Sequence, residues 1–154
     1  MLLCYCGTAF GWGKSGHDAI AYIAECNLTP KAKKNIEKYL DGRSIVYYAS
    51  WMDVYRHTPA YKVTSGWHGD RVDADGKYVP NAKGDALQCI EEAISRLKDY
   101  RSLDDSTVLV SIKYLVHLVG DMHCPVHVKY PWYKNFKFDL NGRPSEFHSF
   151  WDSG

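Results

Sequence analysis

The sequence predicts an all-α, or mainly α, fold, and three observations carry that expectation. Apolar residues recur at helical spacing in several stretches, helix start and stop signals bracket them, and only one short segment reads as a hairpin. The chain has 154 residues, 45% hydrophobic and 14% aromatic. Such a composition fits one water-soluble domain and excludes a disordered or collagen-like chain.

Gly16 to Cys26 aligns Ala19, Ile20, Ile23 and Ala24 on one stripe, with His17 near the start of this first helix. Thr29 is an N-cap ahead of Pro30, and Ala32, Ile36 and Leu40 follow before Gly42 stops the second helix. Ile45 to His57 is a third helical candidate, although Ile45 to Tyr48 would also suit a strand. Thr58 to Lys83 scatters Pro59, Pro80, Gly66, Gly69 and Gly76 among polar residues, which predicts a long loop containing His68.

Helical period returns from Asp85 to Tyr100 through Leu87, Ile90, Ala93, Ile94 and Leu97. Ser102 to Asp105 resembles a capping box with aspartate in the acceptor place. Val108, Ile112, Leu115, Val116, Val119 and Met122 then share one broad face until Pro125 ends the run. This helix is the most apolar and the expected centre of the core. Asn141-Gly142 suggests a hairpin or an ordered loop, with Pro144 weakening the second strand.

Charge narrows the function. With 19 Lys+Arg against 18 Asp+Glu, the net charge of +1 provides no broad basic field for a phosphate backbone, so a nucleic acid would have to be held locally. No apolar run reaches about 18 residues, so no membrane span is expected. Nothing calls for an obligate protein partner.

Met1 to Gly11 is apolar and ends A-F-G, with small residues where a signal peptidase requires them. It reads as a signal-peptide remnant, hence an exported protein, periplasmic or secreted; an ordinary apolar N-terminus is the alternative. Its removal leaves a domain over residues 12 to 154 with Trp12 first. Of the five cysteines, Cys26, Cys89 and Cys124 then remain, which permits at most one internal bridge. No pair has C-x-x-C spacing, so cysteine is not expected as a zinc ligand.

The richest segment is H-L-V-G-D-M-H-C-P-V-H, His117 to His127. On a helix, His117 and Asp121 point to one face and can close on one metal ion, and the break at Pro125 lets His127 turn back. His148 and Asp152 repeat the spacing. Chance alone gives about one such His-acid pair in this composition, so the pairs by themselves are weak evidence. His57 and His123 fit surface or structural roles better. Asp53 alone could simply pair with Arg56 three residues on.

Taken together, five blocks in order resemble the zinc-dependent single-strand nuclease family of the S-one/P-one type, which shares its fold with bacterial zinc phospholipase C. They are W-G-K-S-G-H at Trp12 to His17, A-S-W-M-D at Ala49 to Asp53, W-H at Trp67-His68, the His117 to His127 segment, and H-S-F-W-D at His148 to Asp152. The resemblance implies that helical fold, truncated at its C-terminal end because family domains run longer.

It further implies three Zn2+ ions. Asp53, His68, His117 and Asp121 would hold the first, and His127, His148 and Asp152 the second. The third would take His17, the bridging Asp121, and the free α-amino nitrogen and carbonyl oxygen of Trp12. An amide nitrogen cannot bind metal, so this role needs the leader removed. Three zinc ions bring a surplus of positive charge over the ligands Asp53, Asp121 and Asp152, which suits a phosphoester.

The implied reaction is hydrolysis of single-stranded DNA or RNA, or of nucleotides, to 5′-phosphorylated products, with possible 3′-nucleotidase action. An activated water would attack phosphorus in line, with Asp53, Asp121 and Arg56 as catalytic residues and the second zinc stabilising the departing oxygen. Arg56 has a salt bridge as its structural alternative. Gly69 follows His68 where some relatives carry an aromatic residue, and Asp70, Arg71 and Asp73 do not align simply with the acid of that loop. Trp132, Tyr133, Phe136 and Phe138 could stack on bases, though such residues more often pack into a core. A phospholipase C-like enzyme and a metal-binding but inactive fragment are the competing readings.

Overall fold

The computed structural model describes residues 13–132, 134 and 136–153. Six α-helices run in the order α1 (Lys14–Cys26), α2 (Pro30–Tyr39), α3 (Trp51–Tyr55), α4 (Ala86–Lys98), α5 (Asp105–Met122) and α6 (Phe147–Ser153). The strands are short: β1 (Asp70–Arg71), β2 (Val128–Lys129), β3 (Lys137–Leu140) and β4 (Arg143–Glu146). The fold is therefore mainly α, as the periodicity indicates. The expected leader, Met1 to Gly11, together with Trp12 and Tyr133, lies outside the described residues.

Helix ends follow local chemistry. Thr29 caps α2 through the Ala32 amide at 3.2 Å, with Pro30 at the position where a missing N–H costs nothing. Asp85 caps α4 through the Gln88 amide at 3.0 Å. The cap of α5 is Asp104, whose Oδ1 accepts from the Thr107 amide at 2.9 Å. Ser102 belongs instead to a preceding 3-10 turn, Tyr100–Ser102, so the expected capping box does not form.

Ile45 to His57 is not one helix. Ile45–Tyr48 forms a 3-10 turn capped by Ser44, the chain turns at Ala49 and Ser50, and α3 follows. Of this run only Ile45 is buried, and Tyr47 points to solvent. Within the long 58–83 segment, a 3-10 turn spans Lys62–Gly66 and β1 pairs in parallel with β2, Asp70 opposite Val128 and Arg71 opposite Lys129. That pairing brings the chain after His68 beside the chain after His127.

Helix α5 is central and packs against α1, α2, α3, α4 and the Ile45–Tyr48 turn. On one side Ala21, Leu40, Ile45, Ala49, Val108 and Ile112 form a core; on the other Met52, Ala86, Cys89 and Leu118 form a second. Fully buried Leu40, Met52 and Leu118 each contribute about 1.5–3 kcal/mol of transfer free energy. Leu115, Val116 and Val119 are not fully covered. With Ile20, Leu28 and Ile36 they line an apolar groove of about 540 Å³.

The Asn141-Gly142 expectation resolves as a hairpin. Its two central residues have φ of 54° and 79°, the left-handed pair that a two-residue turn between twisted strands requires. Pro144 is accommodated because β3 and β4 make a sheet of two strands only, with open edges. The Phe147 amide donates to the Phe136 carbonyl at 2.9 Å, which carries the chain into α6. No helix among the described residues is long and apolar enough to cross a membrane.

Candidate metal centre

The site assembles at the C-terminal part of α5, where one carboxylate is surrounded by imidazoles. Asp121 is 1% exposed. Its Oδ1 lies 3.3 Å from His17 Nε2 and 3.2 Å from His127 Nδ1; its Oδ2 lies 3.0 Å from His68 Nδ1 and 3.2 Å from His117 Nε2. Each oxygen thus stands between two ring nitrogens. The helical spacing of His117 and Asp121 makes their contact local, whereas His17, His68 and His127 arrive from α1, the 58–83 segment and the turn after Pro125.

Asp53 closes the cluster from α3. Its Oδ1 is 3.7 Å from His68 Nδ1 and 3.9 Å from His117 Nε2, and its Oδ2 is 3.8 Å from His17 Nε2. Arg56 pairs with Asp53 at 3.4 Å, so the salt bridge of the bland reading forms, and the same guanidinium lines the open cleft. A second group lies beside the first. His127 Nε2 is 3.2 Å from Asp152 Oδ1, and His148 Nε2 is 3.8 Å from Asp152 Oδ2. The rings of His127 and His148 are stacked, 5.3 Å between centroids.

Orientation of these rings is set by their outer contacts. His117 Nδ1 donates to the Ala49 carbonyl at 2.8 Å, which leaves the Nε2 lone pair facing inward. There it meets His68 Nδ1 at 3.0 Å as well as Asp121 Oδ2. Further ring nitrogens, His17 Nδ1 and His68 Nε2, are buried without a hydrogen-bond partner. Gly120 makes this approach feasible, since a Cβ there would stand 2.5 Å from His17 Nδ1. Gly69 acts likewise: its Cβ would meet the His127 carbonyl oxygen at 2.5 Å. No side chain, aromatic or otherwise, fits at position 69 without displacing backbone.

The electrostatics follow from one acid among four bases. Burial pushes the Asp121 carboxyl up, but hydrogen bonds with His117, His127, His17 and His68 outweigh it and hold the group far below the usual carboxylate range. Burial would depress His127, yet its contacts with Asp121 and Asp152 win and raise it to about 9. His117 moves up for the same balance of burial against Asp121. His148 moves down, through burial and then repulsion from His127. Asp152 is lowered chiefly by its hydrogen bond with His127.

The donor set fits zinc. Ligands bound at about 2.0–2.2 Å in a tetrahedron stand roughly 3.3–3.6 Å from one another. The observed separations of 3.0 to 3.9 Å bracket that edge. Three groups bring their ligand atoms within 4.8 Å of each other: His17, Asp53 and His117; His68, His117 and Asp121; and Cys124, His127 and Asp152. Eight of the residues singled out in the sequence, His17, Asp53, His68, His117, Asp121, His127, His148 and Asp152, therefore converge. His57 and His123 remain on the surface.

Sequence reasoning missed Cys124, Gly120 and the Ala49 carbonyl. A signal for Cys124 existed in its C-x-x-H spacing to His127; none existed for the other two, because both depend on how α1, α3 and α5 meet. Beyond the centre, a cleft of about 430 Å³ is lined by Ser65, Asp70, Arg71, Asn81 and Lys129. Asp70 is buried, and that burial raises its carboxyl above the ordinary value. Asp85 shapes the wall, its carboxylate accepting from Tyr78 Oη at 2.8 Å and the Asn81 amide at 2.8 Å.

Helices that gather histidines and aspartates from distant segments into one buried cluster define a helical protein with candidate metal-binding groups in its cleft. The chain belongs to the S1/P1 nuclease family, whose sequence description it matches over residues 12–154. It is similar to nuclease S1 of Aspergillus oryzae, 26% identical over 157 residues covering 94% of this chain and 54% of that protein. Nuclease P1 of Penicillium citrinum is 29% identical over 157 residues, covering 92% and 57%. Endonuclease 2 of Arabidopsis thaliana is 26% identical over 163 residues, covering 93% and 55%. The chain spans about half the length of the curated relatives it matches.

Proposed function

We propose that the protein is a zinc-dependent phosphodiesterase that hydrolyses single-stranded DNA and RNA to 5′-phosphorylated products, with 3′-nucleotidase action at the same centre. The observation that carries this reading is the Asp121 carboxylate, each oxygen of which lies between two imidazoles in a chain of the S1/P1 family. In this reading Asp53, His68, His117 and Asp121 hold one zinc, and His127, His148 and Asp152 a second. His17 and Asp121 hold a third together with the terminal amine and carbonyl of Trp12. That last ligand requires cleavage after Gly11 during export, and the family match beginning at residue 12 supports such a boundary.

When bound, zinc supplies Lewis acidity toward the phosphate and lowers the pKa of water. The chain's own groups do the rest. The Ala49 carbonyl keeps the His117 proton on Nδ1, so that Nε2 stays a ligand. Arg56 reaches into the cleft beside Asp53 and takes the phosphate oxygens as charge develops. Arg71 and Lys129, adjacent on the paired strands, line the same cleft and draw in an anionic strand. A cleft of about 430 Å³ has room for a nucleotide out of its stack, whereas a paired base cannot enter without leaving its duplex.

The test is a parallel assay of denatured DNA, duplex DNA, RNA and phosphatidylcholine on protein whose N-terminus and zinc content have been measured. The expected result is cleavage of denatured DNA and RNA, Trp12 first, and about three zinc ions per chain. Hydrolysis of lipid alone would reverse the substrate assignment, and absence of zinc would sink the metal centre.

A further inference from the structure

We propose that Cys124 is a sulfur ligand of the metal position formed by His127 and Asp152, giving the centre one mixed N, O and S position beside positions of N and O alone. The inference rests on the metal-centre reading above and names a ligand that reading leaves out. Four observations carry it. Cys124 is a free cysteine, 1% exposed. Its Sγ and donor atoms of His127 and Asp152 all lie within 4.8 Å of one another. His127 is more than nine-tenths buried and turns Nε2 toward Asp152 Oδ1, 3.2 Å away. Lastly, Cys124 precedes the 3-10 turn Pro125–His127.

The turn explains why the two side chains meet. In a 3-10 helix, residues three apart eclipse one another. The His127 amide closes the turn on the Cys124 carbonyl at 3.1 Å, which holds both residues to that register. Pro125 pre-sets the turn's first dihedral. A buried cysteine ordinarily behaves as a small apolar side chain. Here an imidazole and a carboxylate each bring a donor atom within 4.8 Å of the sulfur, a spacing that one divalent cation can span.

On binding, the Cys124 thiol gives its proton to solvent or buffer, and the sulfur lone pair forms the bond to the divalent cation; nothing is oxidised or reduced. With His148, 3.8 Å from Asp152, the position then has four protein donors, and zinc there can still expand to five-coordinate to take a substrate oxygen. Thiolate also biases it toward zinc over magnesium or calcium. The metal here therefore stays bound at chelator levels that strip the positions of N and O alone.

Cobalt(II) chloride added to the chelated 154-residue protein is the probe. A sulfur-to-cobalt charge-transfer band in the near ultraviolet is expected, lost in Cys124→Ser and kept in Cys26→Ala and Cys89→Ala. Because Cys124→Ser could fold poorly, X-ray absorption on the zinc-loaded, unsubstituted protein provides a second measurement, with a sulfur shell expected at about 2.3 Å. Cobalt bound without a sulfur band, a band that survives Cys124→Ser, or a zinc spectrum with only N and O neighbours would overturn the assignment. Cobalt that fails to bind at all would instead overturn the metal-centre reading, taking this one with it.

Discussion

The imidazoles of His17 and His117 lie face to face, their centroids 4.2 Å apart and their planes 15° from parallel. One ring comes from the first turn of α1 and the other from the fourth turn of α5. The contact exists because Gly120 presents no side chain. A methyl group there would stand 2.5 Å from His17 Nδ1.

Gly120→Ala should therefore displace His17 and remove one metal equivalent while the helices persist. A shift of about 1 Å at a reacting centre costs roughly 100-fold in rate. Zinc content by elemental analysis and the far-ultraviolet circular dichroism spectrum check this together. Unchanged zinc content in a folded Gly120→Ala variant would contradict it.

Gly69→Ala tests the other close approach. Its Cβ would meet backbone, the His127 carbonyl oxygen, at 2.5 Å, and backbone paired through β1 and β2 yields less easily than a side-chain tip. The expected cost is about 1–3 kcal/mol, the range for overpacking, read from urea unfolding of the zinc-loaded protein. A neutral substitution would mean that the strand pair slides freely.

Helices α2, α4 and α5 were legible from local signals: Thr29-Pro30 for α2, the apolar period from Leu87 to Leu97 for α4, and the long apolar face of α5. The break at Ala49-Ser50 was not, since Ile45 to Tyr48 suits a helix, a strand or a 3-10 turn equally, and packing decides. The histidines and aspartates could be named from their blocks, but spacing alone cannot show that His17 stacks on His117. Gly69 could be read as a departure from relatives; that it touches the His127 carbonyl follows from a parallel pairing of two-residue strands. Such strands are too short to leave a pattern in the sequence.

The protein without metal should lose stability as the solution is made alkaline. His127 is raised from 6.5 to about 9, so the stabilisation from its proton is fully present below pH 6.5 and is lost as the pH rises through about 9. His117 shifts in the same direction. Zinc must displace such protons, so its apparent affinity should increase over the same window, by up to about tenfold per pH unit for each proton released. Melting curves at pH 6 and pH 9, with chelator and with zinc, check both signs. Chelated protein that melts higher at pH 9 would refute the assignment.

Asp85→Ala should loosen the cleft wall. The carboxylate caps α4 through the Gln88 amide at 3.0 Å and also accepts from Tyr78 and the Asn81 amide. Loss of the cap alone costs about 0.5–2 kcal/mol. The half-buried Asn81 amide loses a partner besides. Amide hydrogen exchange should accelerate across residues 78–88 and leave α1 and α2 unchanged, a pattern that a general loss of stability would not produce.

The apolar groove among α1, α2 and α5 bears on how the 154-residue chain behaves when purified alone. It measures about 540 Å³ and is lined by Ile20, Leu28, Ile36, Leu115 and Val119. Ile23, Val54 and Val63 add exposed aliphatic surface, each more than 60% accessible. Water against such surface is costly, and self-association relieves it. On the proposed ligand set, metal would tie α1, α3, α5 and the 58–83 segment together, so its removal should weaken the same helices that frame the groove. The chelated chain is expected to bind the apolar dye ANS, to scatter light at micromolar concentration, and to melt broadly. Zinc should sharpen the melt yet leave dye binding to the groove. A monodisperse chelated protein with a steep, high-temperature transition and no dye binding would show that this surface is already satisfied.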